Sequence, residues 1–199
     1  MLVKTYGSAV IGVDAITITV EVNISQGINF HLVGLPDNAV KESHQRIQAA
    51  LKNNGHKIPG KSIVVNMAPA DIKKEGSSYD LTIATGILAA SGQVPAEKLS
   101  DFVIMGELGL DGRLQPMKGA LAIALQAKKE GFSGIILPRQ NAGEAAMVDG
   151  FIVYGIESIS QLIAFLKGEE ALENSILANA DMTSSQDSKN SLGFEHVIG

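Results

Sequence analysis

Residues 55–62 read GHKIPGKS and satisfy the pattern G-x-x-x-x-G-K-[ST] at every fixed position. Taken as a P-loop, the stretch would make the chain a nucleotide-binding α/β domain. A P-loop cradles phosphates only where a strand delivers it and a helix begins right after the Lys-Ser/Thr pair, so that backbone N–H groups and the positive helix end face the anion. The flanks here run the other way. Upstream, Asp37 can cap a helix just after Pro36, and Val40, His44, Ile47 and Leu51 fall on one stripe of it. Asn53-Asn54-Gly55 closes that helix with a residue suited to a left-handed C-cap. Downstream, KSIVVNM (61–67) is rich in β-branched residues and reads as a buried strand. Lys61 and Ser62 therefore open a strand, no helix end is present to meet a phosphate, and the match is a coincidence of letters.

Moving outward, Ile16, Ile18, Val20, Val22 and Ile24 alternate with Thr17, Thr19, Glu21 and Asn23, the pattern of a half-buried antiparallel strand. Residues 2–11 and 28–34 read as its neighbours, with Gly12 and Gly27 in the turns. Beyond the false P-loop, Asp80 can cap LTIATGILAAS (81–91), a helix apolar on nearly all sides and hence central. Residues 102–108 and 112–116 read as a hairpin about Asp111-Gly112. A helix over 119–130, a strand over 134–138, a short helix over 142–148, a strand over 151–155 and a helix from Ser158 to Lys167 complete the body. Strands and helices mix without regular β-α alternation, so the expected class is α+β.

The chain has 199 residues, 45% hydrophobic and 19% charged, enough for one sizeable core. Its net charge of −5 resides in residues 168–199, where six acids face Lys189 alone, leaving residues 1–167 neutral. A neutral body neither announces nor excludes a nucleic-acid partner. Cys is absent, so disulfides and thiolate metal sites are excluded. His31, His44, His56 and His196 fall in no metal-binding spacing. Met1 to Tyr6 lacks the basic start and apolar run of a signal peptide, and no stretch reaches the roughly 20 apolar residues of a membrane span. The expected location is cytoplasmic. Residues 168–192 have the acidic and polar composition of a linker, and GFEHVIG (193–199) reads as the hydrophobic opening of a further module, so the chain is expected to be a fragment.

One stretch can carry chemistry. APADIKKEGSSYDLTIATGIL (68–88) sets Ser77 and Ser78 just before the central helix, where backbone N–H groups favour an anion or oxyanion. A serine there is a nucleophile if a base stands beside it. The plainer reading is that Ser77, Ser78 and Asp80 only cap the helix. A second candidate surface is basic: Lys41, Arg46, Lys52, Lys57 and Lys61 stand against Glu42 alone over 41–61, and Lys73 and Lys74 form a small pair at the serine loop. Such residues on the polar side of a helix commonly just face water. No aromatics interleave them, so stacking on bases is not suggested.

KKEGSSYDL and VIMGELGLDGRLQPMKGALAIALQAKKEGFSGIILP resemble the proteolytic domain of Lon-type proteases. In that family a K-D-G-P-S-A-G segment carries the serine and P-I-G-G-L-K-E-K supplies the lysine base. The resemblance puts Ser78 at the nucleophile position and Leu121 at that of the base, and leucine takes no proton. Tyr79-Asp80 replace the two small residues after the serine. Lys118, about one helical turn before Leu121, is the one substitute base, so a Ser-Lys peptidase is the alternative reading. A longer match, over residues 2–167, is to the N-terminal domain of the YifB/ComM group of magnesium-chelatase-like AAA+ proteins, through ITVEVNISQGINFHLVGLPDNAVKESHQRIQAAL, KSIVVNMAPADIKKEGSSYDLTIATGILAAS and VIMGELGLDGRLQPMKGAL. It implies a Lon-like, non-proteolytic domain over 1–167, a linker over 168–192 and the start of an AAA+ module at 193–199. It further implies a hexamer of sister subunits, ATP-driven work on branched DNA during natural transformation, and ATP and Mg bound beyond Gly199, with no cofactor in this chain. A pure oligomerisation or regulatory module without DNA contact would read the same.

Overall fold

The structure, a computed structural model, describes residues 1–175. Among the described residues nine strands are ordered as β1 (Leu2–Ile11), β2 (Asp14–Ser25), β3 (Phe30–Val33), β4 (Ser62–Ala68), β5 (Phe102–Ile104), β6 (Glu107–Leu108), β7 (Leu114–Gln115), β8 (Gly134–Pro138) and β9 (Ile152–Ile156). The helices are α1 (Asn38–Lys41), α2 (Ser43–Asn53), α3 (Asp80–Ala90), α4 (Ala120–Lys129), α5 (Ala142–Ala145) and α6 (Ile159–Lys167). Seven strands form one mixed sheet in the order β3-β4-β2-β1-β5-β8-β9, and β6 and β7 pair separately. The linker and the restart expected beyond Lys167 fall almost wholly outside the described residues.

The alternation along β2 is realised: Ile18, Val20, Val22 and Ile24 are buried, and a long antiparallel register joins β2 to β1 from Leu2–Asn23 to Ile11–Asp14. The neighbour expected on the other side is corrected. Residues 30–33 do not pair with β2; they lie parallel to β4, which is inserted between them and pairs antiparallel with β2. The turn beyond β3 requires glycine: Gly34 sits at φ 100°, where a Cβ would come within 2.1 Å of the Met67 carbonyl oxygen.

The two faces of β1 and β2 hold different helices. Odd residues of β1 face α3, as shown by Thr5 Oγ1 donating to the Thr82 carbonyl at 3.1 Å and by Gly86, whose absent side chain leaves room for Val22. Even residues face the other way, where Val10 fills the space over Gly119 at the start of α4 and Tyr6 meets Phe132 edge-on at 5.1 Å. Every residue of α3 is buried. At ~1.5–3 kcal/mol for each fully buried large aliphatic, this helix is the main hydrophobic anchor of the fold.

Two further expectations are refined. The helix capped by Asp37 divides at Glu42 into α1 and α2, with Val40 N–H donating to Asp37 Oδ1 at 2.8 Å. The span 102–108 is not one hairpin arm. Gly106 N–H donates to the Ser78 carbonyl at 2.7 Å while its own carbonyl accepts from Leu81 N–H at 2.9 Å. The chain is thus drawn to the start of α3, and β5 stays in the main sheet while β6 leaves it.

Candidate functional site

β1 and β5 run parallel but share one backbone pairing, Tyr6 with Val103. The chain turns from β1 toward β2 and from β5 toward β8, so connections leave this pair in opposite directions. Parallel strands that part in this way open a crevice beyond their carboxyl ends. A cleft of about 450 Å3 lies there, lined by Ser8, Ala9 and Val10, by Lys73 and Glu75–Tyr79, by Met105 and Glu107, by Pro116–Lys118 and by Ile123.

The loop that carries the serines is firmly held. Asp37, besides capping α1, accepts from Gly76 N–H through Oδ2 at 3.0 Å; its own N–H donates to the Lys74 carbonyl at 2.9 Å, and Lys74 N–H donates to the Leu35 carbonyl at 3.1 Å. Lys74 is fully buried, and its ammonium donates to the Gly34 carbonyl at 2.7 Å and to the Pro69 carbonyl. Burial holds the Lys74 pKa below its ordinary value. Ser77 Oγ donates to a Glu107 carboxylate oxygen. Asp80 is fully buried and accepts from Arg46 Nε at 2.6 Å, from Arg46 Nη2 at 2.9 Å and from Leu108 N–H at 3.1 Å. Burial pushes the Asp80 carboxyl upward against those donors, while the bond to Asp80 raises Arg46. Burial also pushes the Tyr79 phenol well up, so it stays neutral.

These contacts correct several expectations. Asp80 and the serines are not caps: Tyr79 is the residue before α3 and no side chain caps that helix. Asp80 instead joins α2, α3 and β6 through Arg46 and the Leu108 amide. Arg46 and Lys74 are withdrawn from the nucleic-acid surface, the first because Asp80 holds its guanidinium, the second because it is sealed under the loop. Lys73 is exposed but paired with Glu75 at 2.6 Å. Lys41, Lys52, Lys57 and Lys61 are exposed and form no ion pair among the described residues. The 55–61 loop that bears two of them is fixed by Gln93, which receives Lys57 N–H at 3.3 Å and donates to the Lys57 carbonyl at 2.9 Å. The false P-loop indeed joins α2 to β4, with no helix after Ser62.

Ser78 and Lys118 line the same cleft, yet no hydrogen bond joins them. Leu121 is half-buried against the core, and its backbone N–H donates to Glu144 Oε1 at 3.0 Å. Sequence reasoning missed Glu107, the hold of Asp37 on the serine loop and the inward turn of Lys74. Only the clustering of Lys74, Glu75, Gly76, Ser77 and Ser78 beside an apolar helix hinted at a pinned loop. Among the described residues no group of His, Asp and Glu is arranged to hold a metal ion, and no helix is long and apolar enough to cross a membrane.

A mixed sheet, a serine loop leading into a buried helix and a cleft between the starts of α3 and α4 define a Lon-like α+β domain. A region of Lon protease 2 from Thermus thermophilus is 26% identical over 177 residues, 82% of this chain and 22% of that protein. The family profile described as subunit ChlI of Mg-chelatase matches residues 20–141. Competence protein ComM of Haemophilus influenzae is 39% identical over 199 residues, all of this chain and 39% of that protein. YifB of Escherichia coli is 43% identical over 166 residues, 83% of this chain and 33% of that protein. The chain belongs to this magnesium-chelatase-like YifB/ComM family. It spans between a third and two-fifths of the length of these two relatives.

Proposed function

We propose that this chain is the non-proteolytic N-terminal module of a ComM/YifB-type AAA+ ATPase that drives branch migration of DNA in the cytoplasm during natural transformation. The observation that carries the reading is identity to a competence protein along the whole chain. ATP and Mg2+ act in the module beyond this one, and the working form is a hexameric ring of sister subunits. Leucine at position 121, where a peptidase would need its base, supports a role other than proteolysis. The module grips DNA phosphates through Lys52, Lys57 and Lys61, with Lys41 nearby in sequence. A single module offers few phosphate contacts, so useful affinity arises from several copies acting together.

Replacing Lys52, Lys57 and Lys61 with Gln in the full-length protein should weaken branched-DNA binding and flatten its salt dependence, because each neutralised phosphate releases counterions. Exposed positions tolerate such changes, so circular dichroism should be unaltered. Fluorescence anisotropy across a salt series reads the effect. Equal affinities and slopes would remove this surface from the DNA path and leave subunit assembly as the module's role.

A further inference from the structure

β1 outruns the strand beside it. β5 ends at Ile104, whereas β1 continues to Ile11 and, among the described residues, pairs with no strand on its β5 side beyond Tyr6. Antiparallel pairing with β2 uses the backbone groups of alternate residues. Ser8 N–H meets Met105 Sδ at 3.3 Å, so it points away from β2. By the same alternation the N–H and carbonyl of Val10 also point away, into the side where Ser8, Ala9 and Val10 line the cleft. An unpaired strand edge inside a cleft is a template for one more strand.

The charges of the cleft favour one kind of strand. Lys73 is neutralised by Glu75 at 2.6 Å. Glu107 receives the Ser77 hydroxyl and lies in the field of Arg46. Lys118 is exposed and, among the described residues, has neither a carboxylate nor a hydrogen-bond acceptor. The Ser78 hydroxyl, which lines the same cleft, is likewise without a partner among them. One cation and one free hydroxyl thus remain beside an apolar floor of Val10, Met117 and Ile123.

We propose that this cleft binds the C-terminal end of an extended peptide, which pairs with the Ser8–Val10 edge of β1, sets an apolar last side chain against Val10, Met117 and Ile123, and delivers its terminal carboxylate to Lys118 and Ser78. Main-chain pairing gives the affinity and the carboxylate gives the register. No bond is made or broken, and the inference stands independently of DNA contact by the lysine surface.

The test uses the 199-residue chain and a fluorescein-labelled peptide ending in Val-Val, with a free carboxylate or as the C-terminal amide, read by anisotropy. The acid should bind about tenfold more tightly than the amide, as a charge-assisted contact outweighs a neutral one. Lys118→Gln should abolish that preference. Val10→Pro removes the outward N–H from an edge position that tolerates proline, so both peptides should lose binding while circular dichroism is unaltered. Should Val10→Pro fail to fold, the preference for acid over amide and its loss in Lys118→Gln test the proposal by themselves. Equal affinity for acid and amide, binding unaffected by Val10→Pro in folded protein, or no binding of either peptide at millimolar protein would overturn the proposal.

Discussion

Asp80 ties three elements together because a carboxylate buried at the start of α3 must find donors, and Arg46 from α2 and the Leu108 amide of β6 supply them. Removing one partner of such a pair leaves an uncompensated buried charge. Asp80→Ala should therefore cost ~3–5 kcal/mol. The double change Arg46→Met with Asp80→Leu should cost less than the single one, about 1–3 kcal/mol for the stranded Leu108 amide. Urea denaturation of wild type, Arg46→Met, Asp80→Leu and the double variant measures the coupling, and additive losses would show that the pair does not act as a unit. Ser78 illustrates a different residue-scale point. It shares a cleft with Lys118 without a bond to it, and a serine without a base keeps its proton. Ser78 should stay unlabelled by a fluorophosphonate probe. Labelling that disappears in Lys118→Ala would establish the lysine as a working base and revive the peptidase reading.

At the scale of elements, α2 rests on β3 through a stacked pair: the rings of His44 and Phe30 lie 4.1 Å apart and 14° from parallel. Burial holds His44 below its ordinary value of 6.5. The neutral ring is thus the form the folded state prefers, and as pH falls the unfolded chain takes the proton first. The stabilisation is complete above 6.5 and is lost as pH falls through that value toward the lower folded pKa. Denaturation midpoints should drop between about pH 8 and about pH 5.5, and His44→Phe, which keeps the stack, should lose part of that slope. An unchanged slope would assign the effect to other groups. The same pair shows what local pattern conveys. The stripe Val40, His44, Ile47 and Leu51 told that α2 was amphipathic, and the alternation of β2 told which face was inward. Neither states a neighbour. β4 enters between β2 and β3 by a parallel pairing that joins residues 30 apart and more in sequence, and periodicity carries no information on partner order. The site was legible to the same extent. The serine loop was placed by its setting before an apolar helix, but Lys74 looked like surface because a lysine is almost never fully buried. Its two acceptors are carbonyls of a turn 40 residues upstream and of a loop residue five away, invisible in any local window.

For the whole molecule, the core closes within the described residues: α3 and α4 cover opposite faces of the sheet, and α6 is buried through Ile159, Leu162, Ile163, Phe165 and Leu166. A closed core predicts one cooperative transition. The neutral body and the acidic residues beyond Gly168 are separable in charge, and GHKIPGKS leads into a strand rather than a helix. Thermal unfolding of the chain and of a version ending at Ser175, each with and without millimolar Mg-ATP, tests these points together. A ligand that binds only the folded state raises the midpoint in proportion to the logarithm of its concentration over Kd. All four curves should show a single transition, with the midpoint unmoved by nucleotide and shifted by no more than a few degrees by the truncation. A rise with Mg-ATP that Lys61→Ala abolishes would make GHKIPGKS a working phosphate loop after all. Two resolved transitions, or a large drop on truncation, would show that residues after Ser175 complete the core.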